Sequence, residues 1–255
     1  MSSVNHRSRN GGFSLIEVAV VMFIIVLLLG SIMIPLTTQV EQRQVSDTQK
    51  TLEEIREALV GFALANGRLP CPDKTSGIAP FLPNDTPNDG VEDHDTVECK
   101  AKDATGTLVD NLEGNIPWST LGVANSDVWG NRFRYRVVGA FGRVSPTTFT
   151  LSTTGNLIVS CPAPACNPSQ NYTTSASAII LSHGKNGFGA ISARTGSSNP
   201  LPTSTDEQEN TNGNTTFASR PLSAAGSIAG EFDDIVVWLS RYTLFNRMVA
   251  AGKLP

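Results

Sequence analysis

The sequence predicts an α+β protein: a long, bent N-terminal helix packed on an antiparallel β-sheet domain with long loops and a short C-terminal helix. Three observations lead there. From Phe13 to Leu36 the chain is almost wholly apolar, and Glu17 is its only ionisable side chain. Apolar residues then recur at helical spacing as far as Phe62. Beyond Gly67 the chain breaks into short β-branched or alternating segments separated by Gly, Pro, Asn and Asp. At 255 residues and a formal charge of −4, the size suits one domain on a long helix.

Residues 1–12 are polar and carry Arg7, Arg9 and His6 with no acid. Positive charge ahead of an apolar segment holds that end in the cytoplasm and sends the rest outward. The apolar run is long for a secretory signal peptide, and no small-x-small cleavage site follows it. An uncleaved signal anchor on an outward-facing domain is the stronger rival. At about 1.5 Å per helical residue the run is long enough to cross a hydrocarbon core of about 30 Å. Within it Glu17 is expensive unless it finds a cationic partner. A cut between Gly12 and Phe13 supplies one, because the new ammonium at Phe13 then lies one helical turn from Glu17.

The stretch Gly11-Gly12-Phe13-Ser14-Leu15-Ile16-Glu17-Val18 resembles the processing site of type IV pilins and type II secretion pseudopilins. There a short basic leader ends in Gly, Phe usually follows, and Glu comes four residues later. Gly12, Phe13 and Glu17 match residue by residue. The resemblance implies cleavage after Gly12 by prepilin peptidase, N-methylation of Phe13, and filament assembly through the apolar helix with Glu17 as an assembly residue. It divides the chain into a leader (1–12), a transmembrane or filament-core helix (13–38) and a periplasmic globular domain (39–255). Loss of the leader takes two positive charges, so the side-chain total moves from −4 to −6. So acidic a chain is not a general nucleic-acid binder.

The helix is expected to continue past Pro35, which should bend it, as far as Asn66-Gly67. Val45, Leu52, Ile55, Leu59 and Phe62 form its apolar stripe, with charged residues on the remainder. From Arg68 to Pro117 the composition is that of one long ordered loop. Inside it Asp85, Asp89, Gly90 and Asp93 partly echo a calcium loop, but Pro87 and Thr96 stand where carboxylates are wanted. The segment reads as a solvated acidic loop, with calcium as the alternative. Four cysteines in a chain sent across a membrane favour disulfides, and three connectivities are possible. Cys161-Pro-Ala-Pro-Ala-Cys166 makes a compact local loop, and Cys71–Cys99 would then staple the long one. No Cys-x-x-Cys pair supports a metal or redox reading.

Phe133, Tyr135 and Val137 alternate with Arg132, Arg134 and Arg136, which predicts a strand over 132–138 with one aromatic and one solvated arginine face. Asp127, Trp129, Gly130 and Asn131 ahead of it resemble the Asp-Pro-Trp-Gly-Asn-Pro-Tyr segment of major pseudopilins, with Trp129 as a packing anchor. Further strands are expected at 148–152, 156–160, 176–181 and 235–239, and a closing helix at 242–251. Ser182 to Gly187 resembles the Ser-x-Gly-x-Asp-Gly segment of the same family, where a later Asp-x-Asp-Ile helps to hold calcium. That resemblance implies oxygen ligands at Asn186, Asp233 and Asp234. Asn186 departs from the family's Asp, and the polar stretch 195–216, read as a mobile surface loop, intervenes.

No Gly-x-Ser-x-Gly, phosphate-binding loop or His-Glu-x-x-His is present, and Ser182 and His183, adjacent on a strand, point apart. The expectation is a non-enzymatic filament subunit, a type II secretion pseudopilin or minor pilin. It would be single-pass in the inner membrane with a cytoplasmic N-terminus, and would have no cofactor unless calcium binds. Its partners would be other pilin or pseudopilin subunits, prepilin peptidase and the inner-membrane assembly platform. A membrane-anchored periplasmic binding or catalytic domain is the alternative.

Overall fold

The computed structural model describes residues 14–76, 86–103, 105–145 and 149–254, and of 29–37 only the backbone. The chain divides into two units, Met1–Val45 and Ser46–Pro255.

Helix α1 (Leu15–Asn66) opens in the first unit and continues through Pro35, where the sequence predicts a bend. In the first unit the apolar side chains from Leu15 to Leu28 are exposed, Leu15 to 89% and Phe23 to 67%. Among the described residues no helix is long and apolar enough to cross a membrane. The expected span, 13–38, includes Phe13 and the side chains of 29–37, which lie outside the described residues.

In the second unit α1 lays Leu52, Ile55, Leu59 and Ala63 into the core, all fully buried. The helix ends as the sequence predicts, with Gly67 in the left-handed region (φ 72°) and its N–H on Ala63 O at 2.8 Å. The rest of this unit comprises strands β1 (Lys100–Lys102), β2 (Leu108–Asp110) and β3 (Glu113–Asn115), helix α2 (Trp118–Leu121), strand β4 (Arg134–Val137), helix α3 (Gly139–Gly142), strands β5 (Leu157–Cys161) and β6 (Gln170–Ser182), helix α4 (Thr205–Glu209), strands β7 (Thr216–Ala218) and β8 (Ile235–Ser240), and helix α5 (Arg241–Ala250).

The six-stranded sheet runs β3-β4-β6-β5-β7, and β8 pairs with β6. Its inner face carries Phe133, Tyr135 and Val137, Ala178 and Ile180 of β6, and Leu239 of β8 against the α1 stripe. Its outer face carries a second apolar cluster that includes Leu157, Val159, Ile179 and Phe217. Ser240 caps α5 by accepting from Tyr242 N–H, and α5 buries Leu244, Phe245 and Met248.

The structure corrects several expectations. The sheet is mixed, because β7 runs parallel to β5. The long connection through β6 and the polar insertion gives the chain room for that crossover. The loop 68–117 contains a small antiparallel pair, β1-β2, and the edge strand β3, all too short to show a period of two. No strand forms over 149–152: Thr153 N–H closes a turn on Thr150 O, while Phe149 packs in the core, tilted against Phe141 and stacked on Phe245. Position 148 lies outside the described residues.

Candidate functional site

At the N-terminus, Ser14 and Glu17 bond reciprocally. Ser14 N–H donates to Glu17 Oε2 at 2.8 Å, and Glu17 N–H donates to Ser14 Oγ at 3.3 Å. This Ser-x-x-Glu pattern is a capping box, and it satisfies two N–H groups at the start of α1. Sequence reading assigned Glu17 to the Phe13 ammonium and overlooked the cap, although Ser14 stands three residues ahead. Gly12 and Phe13 lie outside the described residues.

In the second unit, a turn of the chain places the carboxylates. Asp127 Oδ1 accepts from Trp129 N and Asn131 N, while its Oδ2 accepts from Ser182 Oγ at 2.6 Å. Burial raises the Asp127 pKa, and the Ser182 hydroxyl and the Asn131 and Trp129 amides oppose that rise. Asn131 Nδ2 then holds Gly184 O at 3.1 Å. Asp127 and Asn131 therefore tie the Trp-Gly-Asn turn to the Ser182–Gly187 turn. Trp129, expected as a packing anchor, is half-buried, and neither apolar cluster among the described residues includes it.

Gly184 (φ 60°) presses against Asp233: a Cβ there would lie 2.3 Å from Asp233 O and 2.5 Å from its Oδ1. Beside it Glu207, Asp233 and Asp234 bring one ligand atom each within 4.8 Å of one another. Among the described residues, one oxygen of each carboxylate is held and the other is not. Glu207 Oε1 accepts from Asn186 Nδ2 (3.1 Å) and Asp233 N (3.2 Å). Asp233 Oδ2 accepts from Asn186 N (2.7 Å), and Asp234 Oδ2 from Asn210 Nδ2 (2.7 Å). Glu207 Oε2, Asp233 Oδ1 and Asp234 Oδ1 are buried without a hydrogen-bond partner among the described residues. His183, fully buried, has Nδ1 3.5 Å from Asp234 Oδ1, in a geometry that makes no hydrogen bond.

Such crowding shows in the acid strengths. Burial first, then the neighbouring Asp234, lifts Glu207 to about 7 against the partial opposition of Asn186. Burial, opposed by the Asn186 amide, lifts Asp233 to about 6. Three bare oxygens with no soft donor among them fit a hard cation such as calcium.

Asp233 and Asp234 lie together beside Glu207, and Asn186 bonds to the acids rather than offering them an oxygen. Its side-chain oxygen accepts from Phe188 N at 2.9 Å, and its nitrogens hold the two acids. The third carboxylate is Glu207, which comes from the stretch read as a mobile loop. That stretch is anchored. Arg220 binds Asp206 at 2.5 Å, stacks 4.5 Å over Phe232 and donates to Ala229 O at 2.8 Å, while Asn210 bonds both ways with Ala218. Asp206-Glu207 at the start of a short helix was the available signal, but nothing in the sequence fixed its distance from Asp233.

The other acidic set, Asp85, Asp89 and Asp93, is described only in part. Asp85 lies outside the described residues. Asp89 accepts from Val91 N and Asp93 from Lys74 N, and neither joins an acid cluster among the described residues. The disulfides are Cys71–Cys99, whose two residues are buried in the main core, and Cys161–Cys166. Beside the first, Arg68 makes a two-pronged pair with Glu92, both bonds 2.7 Å. The arginine face of β4 is half-buried: Glu113 accepts from Arg134 Nε and Arg136 Nη1, each at 2.5 Å, and the insertion supplies Thr211 O and Gly213 O.

Residues 7–33 match the family model of the prokaryotic N-terminal methylation motif, the signature of type IV pilins and pseudopilins. The chain therefore carries a prepilin-type processing segment. No curated protein and no solved structure matches it.

Proposed function

We propose that the protein is a structural subunit of a type IV pilus-like filament, a type II secretion pseudopilin or a minor pilin, and that it has no catalytic activity of its own. The observation that carries this reading is the methylation motif at residues 7–33, opening onto the exposed apolar side chains of α1. Such a surface demands cover, which lipid provides before assembly and neighbouring helices provide in a filament. On this reading prepilin peptidase cuts after Gly12, and the chain is held in the inner membrane with residues 39–255 outward in a pilin-like domain. Neighbouring subunits and the assembly platform are its partners.

In the same reading Glu207, Asp233 and Asp234 hold calcium. When bound, the cation would neutralise three crowded carboxylates and tie the insertion to the start of β8. Asn186 and Asn210 orient the acids by occupying one oxygen of each, and Gly184 leaves the room that Asp233 needs. The filament reading is tested by shearing cells with and without prepilin peptidase and probing the sheared fraction for this chain. It should be present only with the peptidase. Its absence from filaments in both strains would favour an anchored domain.

A further inference from the structure

Beyond the filament reading, we infer that a cavity of about 580 Å³ on the outer face of the sheet, beside Arg132, binds a small monocarboxylate. Arg132, Arg134 and Arg136 all line it, with Glu113 and Asp110 as its acids. Glu113 engages both Arg134 and Arg136, so those two guanidinium groups are matched. Arg132 differs. Its guanidinium lies 3.9 Å over the Trp118 ring, and among the described residues only Nη2 reaches a partner, Asn88 O, at 3.5 Å.

Its Nε and Nη1 are buried without a partner among the described residues, and the whole residue is only 8% exposed. Asp73, the acid whose charge Arg132 feels, gives its oxygens to Asn88 N and Gly90 N instead. The position is fixed from below as well. Trp118 rests on Gly90 (φ 80°), where a Cβ would sit 2.2 Å from the ring. A guanidinium taken out of water with two of its N–H groups unpaired is costly, and a bound anion removes that cost.

The lining selects the anion. Three guanidinium groups face two carboxylates, which leaves one positive charge. A single carboxylate balances it, while a dianionic phosphate would meet uncompensated repulsion from Glu113 and Asp110. The volume is that of a small-molecule site. Ser198 offers a hydroxyl and Ile191 an apolar wall, so a carboxylate on a partly polar ring, such as a sugar acid, suits the rest.

Isothermal titration of the full-length chain in detergent tests this with glucuronate and benzoate as carboxylate probes, and glucose and inorganic phosphate as controls. The expected result is saturable binding of at least one carboxylate, with neither control competing. Arg132→Gln should weaken it by about tenfold or more, since the charge-assisted contact is lost. Should that variant fail to fold, Ile191→Trp, which fills the cavity and leaves Arg132 in place, should abolish binding in a protein of wild-type circular dichroism. Absence of saturable binding by both carboxylates, equal binding of glucose or phosphate, or unchanged affinity in Arg132→Gln or Ile191→Trp overturns the inference.

Discussion

Ser14 and Glu17 close the start of α1 on each other, each backbone N–H bound by the other's side chain. The acid that the motif singles out therefore has a local task as well as any task in assembly. A glutamine can serve in a capping box, whereas an alanine cannot.

Those two tasks separate by substitution. Glu17→Ala should lose the cap, about 1 kcal/mol of helix stability, together with the charge. Glu17→Gln should keep the cap and lose only the charge. Both variants should insert and be processed, and both should enter filaments poorly, because an unpaired Phe13 ammonium in a dry helix bundle costs several kcal/mol. The ratio of membrane-bound to sheared protein measures this. Normal incorporation of Glu17→Gln would assign Glu17 to capping alone.

Calcium should stabilise the folded second unit. At neutral pH, melting with calcium at about 100 times Kd should show a gain of about 2.7 kcal/mol over melting in chelator. Glu207→Gln and Asp234→Asn should shrink that gain sharply, since each removes one buried, bare carboxylate oxygen. Identical melting curves with calcium and chelator would contradict the site.

Asp73 gives a pH signature away from the cation site. Burial raises it from 3.8 to about 7, against the opposing amides of Gly90 and Asn88. Its folded pKa lies above its unfolded value, so the folded state holds the proton more tightly. Its contribution is full below about pH 4 and is lost as pH rises towards 7. Asp73→Asn should flatten that fall, on the order of a few kcal/mol, in denaturant titrations between pH 4 and 7. An unchanged slope would remove Asp73 as its source.

The two disulfides should differ in worth. Closing a separation of 28 residues, Cys71–Cys99 should contribute about 3.6 kcal/mol, and Cys161–Cys166, with a separation of 5, about 2 kcal/mol in the chain-entropy account. Paired Cys→Ala variants compared by denaturant unfolding check the order. A larger loss from the short loop would contradict it.

Much of this was legible along the chain. The α1 stripe, β4, β5, β8 and α5 follow from periodicity and caps, and the Asn66-Gly67 stop from the need for a left-handed residue. What escaped was what depends on long-range placement. Glu207 reaches Asp233 only because Arg220 and Asn210 pin the insertion, and no local pattern encodes that. Arg134 and Arg136 read as a solvated face because alternation reports which residues share a side, and Glu113 comes from another strand. The β1-β2 pair is too short to rise above the Pro and Gly around it.

The central claim, a prepilin-type subunit, is tested most directly by the N-terminus of protein taken from cells that make filaments. Intact mass and N-terminal sequencing should give a chain that begins at Phe13, methylated on its nitrogen, with residues 1–12 absent. A chain that still begins at Met1, or one that begins beyond Leu36, would contradict the account.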